Sequence, residues 1–132
     1  MPTCAAYARY SSEDQKPTSI DDQLRRCREV AERSGLTIDQ RRIYSDSAVS
    51  GLDSRRHGYA AMKRAAEDRL YDVLIVDELS RLGRDMLESV SLALTLSKCG
   101  VRLITCDGLD TNDANWRLPL IVRSFSAEQE VK

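Results

Sequence analysis

Two hydrophobic periods alternate along the chain. Short apolar runs, TCAAYARY, a stretch within LTIDQRRIYSD, YDVLIVD and VRLITCD, read as strands. Between them the apolar positions fall at helical spacing. In TSIDDQLRRCREVAERSG, Ile20, Leu24, Cys27 and Ala31 form one stripe, while Arg25, Arg28, Glu29 and Glu32 face the other way. Thr18 or Ser19 supplies an N-cap, Asp21 and Asp22 suit the first turn, and Gly35 follows the end. YAAMKRAAEDRL predicts a second helix, and a third runs from Asp85 through Cys99, closed by Gly100. A last segment, WRLPLIVRSFSAEQEVK, carries Leu118, Ile121, Val122 and Phe125 at helical spacing, with Pro119 tolerated in the first turn. It reaches Lys132 without a C-cap, so the chain is expected to be a fragment cut inside a longer helix.

Strand and helix in alternation imply an α/β fold: a mostly parallel sheet flanked by helices and joined by right-handed crossovers. The strands' carboxyl ends then share one edge, where open α/β sheets bind ligands. Four polar loops meet there: ARYSSEDQ, SDSAVSGLDSRRHG, DELSRLGRD and DGLDTNDANW. At 132 residues the chain makes one domain, with no apolar run near the roughly 20 residues of a membrane span. It opens without a signal segment, and a cytoplasmic protein is expected.

Charge adds a local rather than a global signal. The formal net charge of −1 gives no overall electrostatic grip on nucleic acid, yet 16 of the 20 basic residues are arginine, whose planar fork matches phosphate oxygens. Cys4, Cys27, Cys99 and Cys106 lack CxxC pairing, and His57 is the only histidine, so zinc-ligand spacing is absent. Buried thiols of a reducing compartment are expected instead.

Arg9 and Ser11 are two apart at a strand end, so both side chains lean to one face with backbones about 7 Å apart. A hydroxyl beside a guanidinium suits attack on a phosphorus whose oxygens the arginine holds; taken alone, the loop also fits a turn serine and a solvated arginine. Arg81 and Arg84 lie three apart at an expected helix start, near free N–H groups that favour an anion. The loop after the second strand adds Asp46, a Ser50-Gly51 turn and Arg56, and Gln15 and Gln23 carry amides able to reach the same anion or to face water. His57 fits a surface loop better than a Ser-His-Asp triad, and the acids of DGLDTND fit solvation better than a calcium loop.

YARYSSEDQ, SIDDQLRRC, YSDSAVSG and LSRLGRD, in this order, resemble the catalytic domain of the serine recombinases, the resolvase and invertase family, over essentially the whole chain. YARYSS and SIDDQ look closer to the large serine integrases and transposon recombinases than to the small resolvases. The resemblance implies a flavodoxin-like strand order, residues 1–132 as the N-terminal catalytic domain, and a C-terminal helix leading to a DNA-binding region that this chain lacks. It implies that Ser11 attacks a DNA phosphodiester to form a 5′-phosphoserine, that Arg9, Arg81, Arg84 and Arg56 bind phosphate, and that Gln15, Gln23, Asp46 and Ser50 hold or orient these groups. It implies double-stranded DNA as partner, dimers that pair into tetramers on two sites, and neither metal nor other cofactor. Ser80 departs from the pattern, standing where many members carry aspartate. Two other readings are a receiver-type phosphoacceptor module, with Asp77, Glu13 and Asp14 hosting magnesium, and a catalytically inactive oligomerisation domain.

Overall fold

The computed structural model describes residues 2–11, 19–48, 57–83, 85–113 and 115–116. The expected C-terminal helix lies almost wholly outside them. Four strands, β1 (Cys4–Ser11), β2 (Ile38–Ala48), β3 (Val73–Val76) and β4 (Arg102–Thr105), form one parallel sheet in the order β2-β1-β3-β4. Helices α1 (Ile20–Arg33), α2 (His57–Glu67) and α3 (Met86–Lys98) form the connections. The α/β reading and the flavodoxin-like order therefore hold for the described strands.

Alternation along the strands divides the core between two faces. Cys4, Ala6, Ala8, Val73, Ile75 and Ile104 face one side, where Leu24, Cys27 and Ala31 of α1 cover them. Ala5, Tyr7, Leu74, Val76 and Leu103 face the other, against Met62 and Ala65 of α2 and Leu92 and Leu96 of α3. Each such leucine or valine, fully buried, contributes about 1.5–3 kcal/mol relative to exposure. Of the four thiols, Cys4 and Cys27 are buried and Cys99 and Cys106 half-buried, all unpaired by disulfide. Burial pushes the Cys4 thiol up to about 11, and a hydrogen bond between Cys27 and Cys106, then burial, raises the Cys27 thiol. Both are thereby kept as inert thiols.

The helix ends follow the sequence closely. Ser19 caps α1 by accepting from the Asp22 N–H at 3.1 Å. At its other end Gly35 takes a φ of 73°, and the Leu36 N–H reaches the Ala31 carbonyl at 2.8 Å; Gly100 closes α3 in the same way, with a φ of 79°. The boundary of α2 differs from expectation: the helix starts at His57 instead of Tyr59, and its first turn lies against β2, where Gly58 meets the Ser45 backbone. His57 is thus the first residue of a helix rather than a loop residue.

That contact depends on Gly58. A Cβ there would stand 2.2 Å from the Ser45 carbonyl oxygen, a backbone atom of β2 that cannot step aside. Gly58→Ala is expected to destabilise the domain by about 1–3 kcal/mol, read as a lower urea midpoint; an unchanged midpoint would show that α2 is free to shift off β2.

Candidate active site at the β1/β3 edge

Pairing between β1 and β3 ends at Tyr7 and Val76, whereas β1 continues beside β2 as far as Ser11, which pairs with Ala48. Among the described residues β1 therefore has one edge without a neighbouring strand over its last positions, at the point where the strand order reverses. Clefts in open α/β sheets form at such switch points.

Gln23 closes the first part of that edge. Its Oε1 accepts the Arg9 backbone N–H at 3.0 Å, and its Nε2 donates to the Arg9 carbonyl at 2.8 Å, so the amide occupies the place of a neighbouring strand. Gln23 is 0% exposed. This corrects the sequence expectation: Gln23 is neither solvated nor aimed at an anion by these bonds, because they hold the strand that carries Arg9.

Arg9 and Arg81 come together over this edge. The Arg9 Nη2 donates to the carbonyl of Ser80 at 3.2 Å, and the Arg81 Nη1 donates to the carbonyl of Arg9 at 3.4 Å. Arg9 Nε is buried and has no acceptor among the described residues. Arg81 does not stand at the start of a long helix, as the sequence suggested. It lies in a separate 3₁₀ turn, Leu79–Leu82, which ends at an extended Gly83, and α3 begins only at Met86. The N-terminus of α3 is already served by Asp85, whose carboxylate accepts the Glu88 N–H at 2.8 Å. The positive charge at the edge accordingly comes from side chains.

Arg81 is only 7% exposed, and Asp77, the first residue after β3, is 4% exposed. The Arg81 Nη2 stands 3.6 Å from Asp77 Oδ2 and 3.9 Å from Glu78 Oε1. Asp77 Oδ1 in turn accepts from Arg26 Nη1 of α1 at 2.9 Å, and this hydrogen bond raises the Arg26 pKa above its already high ordinary value. With both oxygens facing guanidiniums, Asp77 is badly disposed to act as a phosphoacceptor; Glu13 and Asp14 lie outside the described residues. Among the described residues no group of three or more His, Cys, Asp or Glu is placed to hold a metal.

Asp46 lies inside β2 rather than in the loop after it, because β2 runs on to Ala48. Its carboxylate accepts the Tyr7 hydroxyl at 2.7 Å and the N–H groups of Gly58 and Tyr59 at 2.8 Å each. It caps α2 and ties that helix to β1 through Tyr7, a structural duty that suits an anion at a helix N-terminus. Asp110 also departs from expectation: it forms a two-pronged pair with Arg102 at 2.9 and 2.7 Å, which lowers its pKa. Gln15, Ser50, Arg56 and Arg84 lie outside the described residues, and Ser11 is described only as the last residue of β1.

The sequence reading missed Asp77 and Arg26 as parts of this arrangement. A charged residue directly after the apolar run VLIV was the available signal for Asp77; Arg26, on a face rich in charge, offered none. Gln23 was legible in principle, since Ile20, Gln23, Leu24 and Cys27 together trace the core-facing stripe.

A fold of this kind, with arginines gathered at the β1/β3 edge, is that of the serine recombinase catalytic domains. The chain belongs to the resolvase family: residues 4–132 match the family model of the resolvase N-terminal domain. It is 29% identical over 125 residues to the transposon Tn3 resolvase of Escherichia coli, and 30% identical over 125 residues to a resolvase/recombinase of Pseudomonas putida. These alignments cover 94% of this chain but 61% and 62% of the relatives, so the chain spans about three fifths of the length of the curated proteins it matches. Among solved structures, the N-terminal catalytic domain of TP901-1 integrase superposes with a TM-score of 0.75 at 27% identity, covering 97% of this chain and 95% of that one. A resolvase family site-specific recombinase from Streptococcus pneumoniae shares the fold, with a TM-score of 0.75 at 24% identity over 98% of this chain and 88% of that one. Among the described residues no helix is long and apolar enough to cross a membrane.

Gln23→Leu would take the acceptor from the Arg9 backbone N–H and leave the Arg9 carbonyl with only the longer bond from Arg81 Nη1. The variant is expected to lose at least about 2 kcal/mol of stability in urea unfolding. A loss below about 0.5 kcal/mol would mean that water replaces the amide at no cost.

Proposed function

We propose that this chain is the catalytic domain of a site-specific DNA recombinase and that Ser11 is its nucleophile. The Ser11 hydroxyl oxygen attacks a backbone phosphorus. The new Oγ–P bond forms as the P–O3′ bond breaks, the serine gives up its proton, and the departing 3′ oxygen gains one. The product is a 5′-phosphoserine with a free 3′-hydroxyl, and reversal of the same step on a new partner strand rejoins the DNA. Bond energy is conserved in the ester, so rejoining needs no external energy source.

The observation that carries this reading is the meeting of Arg9 and Arg81, from β1 and the turn after β3, on a strand whose last residue is Ser11. Negative charge grows on the non-bridging oxygens of a five-coordinate phosphorus, and fixed guanidiniums stabilise it without reorganising. Arg84 and Arg56 are assigned to the same anion, with Gln15 and Ser50 supporting it. Gln23 and Asp46 act indirectly, one fixing the Arg9 backbone and the other fixing α2 against β1 and β2. A receiver-type reading is disfavoured by the two guanidiniums on Asp77, and it gives the Arg9–Arg81 pairing no purpose. The whole protein is proposed to act on double-stranded DNA in the cytoplasm, as dimers that pair into a tetramer for strand exchange.

The test uses the full-length parent protein and a supercoiled plasmid bearing the sequence that this protein selects from a randomised duplex library. Ser11→Ala is expected to abolish the covalent protein–DNA adduct while leaving the thermal unfolding midpoint in place; an adduct formed by that variant would remove Ser11 from the mechanism. Arg9→Ala and Arg81→Ala are each expected to slow adduct formation by about 100-fold or more. Rates near that of the unmodified protein would take those guanidiniums off the phosphate.

A further inference from the structure

Arg81 is a buried cation, and a buried cation keeps its place only where a carboxylate and hydrogen-bond acceptors compensate its lost hydration. The residue directly before it in the chain, Ser80, brings no charge: its hydroxyl donates to Glu78 Oε1 at 2.6 Å, and its carbonyl is taken by Arg9. Of Asp77 and Glu78, which both face Arg81, the more buried is Asp77, at 3.6 Å; Glu78, at 3.9 Å, has a side chain 48% exposed. Solvent around Glu78 screens its pull, so Asp77 supplies the stronger field.

Asp77 is itself held from three directions. Its backbone carbonyl accepts the Cys106 N–H at 3.1 Å, fixing it to the end of β4. Its Oδ1 is fixed by Arg26 from α1 at 2.9 Å, which leaves Oδ2 turned to Arg81 from within the same turn. Arg26 also matters for charge. A lone carboxylate beside Arg81 would cancel much of the positive potential that an incoming phosphate needs, whereas Asp77 shared with Arg26 sets the guanidiniums of Arg9, Arg26 and Arg81 against the carboxylates of Asp77 and Glu78 among the described residues.

We infer that Asp77 is a positioning residue for the cleavage reaction: it aims the Arg81 guanidinium at the phosphate from within the protein, and Arg26 fixes and neutralises it. The inference rests on the recombinase reading. Asp77 touches no substrate in this scheme and acts through Arg81 alone.

The experiment measures two things on the full-length protein. One is the rate of serine adduct formation on the same selected plasmid site, with apparent DNA affinity measured separately. The other is the nitrogen-15 NMR signal of the Arg81 side chain in arginine-labelled protein, assigned by its disappearance in Arg81→Lys. Asp77→Asn, nearly identical in shape, is expected to slow adduct formation 10-fold or more with affinity changed less than 3-fold, and to turn the Arg81 guanidinium from slow to fast rotation. Asp77→Glu, which restores the charge, is expected to recover at least half of the lost rate on a logarithmic scale. Arg26→Gln is expected to slow the reaction 3- to 10-fold while Arg81 stays slowly rotating, because Asp77 remains. Asp77→Asn with an unmodified rate, or with Arg81 rotating slowly as before, would overturn the inference. So would Glu and Asn variants equally impaired, the mark of a merely structural role. Absence of any adduct with the unmodified protein would defeat the recombinase reading instead, and the Arg81 signal would still decide whether Asp77 holds that side chain.

Discussion

A reciprocal latch between two backbone carbonyls organises the working edge of this domain. Arg9 of β1 donates its side chain to the carbonyl of Ser80, and Arg81, one residue on, donates its side chain to the carbonyl of Arg9. Neither contact exists unless β1 and the turn after β3 stand at a fixed separation. That separation is set by the parallel pairing of Tyr7 with Val76 just below, the last rung before the strands part. The latch also answers an electrostatic difficulty. Two guanidiniums brought to one place repel, and each is given a backbone acceptor on the segment that carries the other, so moving the two segments apart would cost both bonds at once.

Around the latch, each supporting residue fixes a different segment. Gln23 reaches from α1 to the Arg9 backbone, Asp77 joins α1, β4 and the turn, and Asp46 secures α2 to both β2 and Tyr7. These are polar groups placed in or beside an apolar core, where each hydrogen bond left unmade would cost more than a made one contributes. The domain accepts that risk at its carboxyl edge and leaves the body of the sheet to aliphatic packing. The division is visible along β1, where Cys4 to Ala8 are all buried, with the Tyr7 hydroxyl on Asp46 as a polar contact, and where Arg9 and its partners follow.

What the sequence disclosed follows from the range of the interactions concerned. Strands and helices were legible because VLIV and RLIT are short apolar runs and because the α1 stripe repeats at helical spacing, both properties of neighbouring residues. Ser19, Gly35, Asp85 and Gly100 marked helix ends for the same reason. The 3₁₀ turn escaped notice because Leu79 and Leu82, three apart, satisfy an α-helical pattern as well, and the extended Gly83 ends it shortly before α3 begins at Met86. The roles of Asp46 and Gln23 were less accessible, since their partners lie 12 to 39 and 14 positions away, respectively. Most of the candidate residues stood out in the polar loops at the strand ends and took their roles from the resemblance, whereas the bonds by which Gln23 and Asp46 hold other segments in place needed coordinates.

The source of the positive field has a consequence for how such a site is controlled. A helix N-terminus offers a fixed partial charge that no side chain can withdraw, but here Asp85 occupies the start of α3, and the field at the edge belongs to guanidiniums on three separate segments. A field assembled in this way exists only while α1, β1 and the turn after β3 keep their relative positions. Small displacements of α1 would act on Arg81 through Arg26 and Asp77, and on Arg9 through Gln23, so one helix bears on both cations at once. The positive field at this edge is therefore tied to the packing of α1 on the sheet, and the alanine and thiol contacts of Ala31 and Cys27 with Cys4, Ala6 and Ala8 become part of what holds the charges in register.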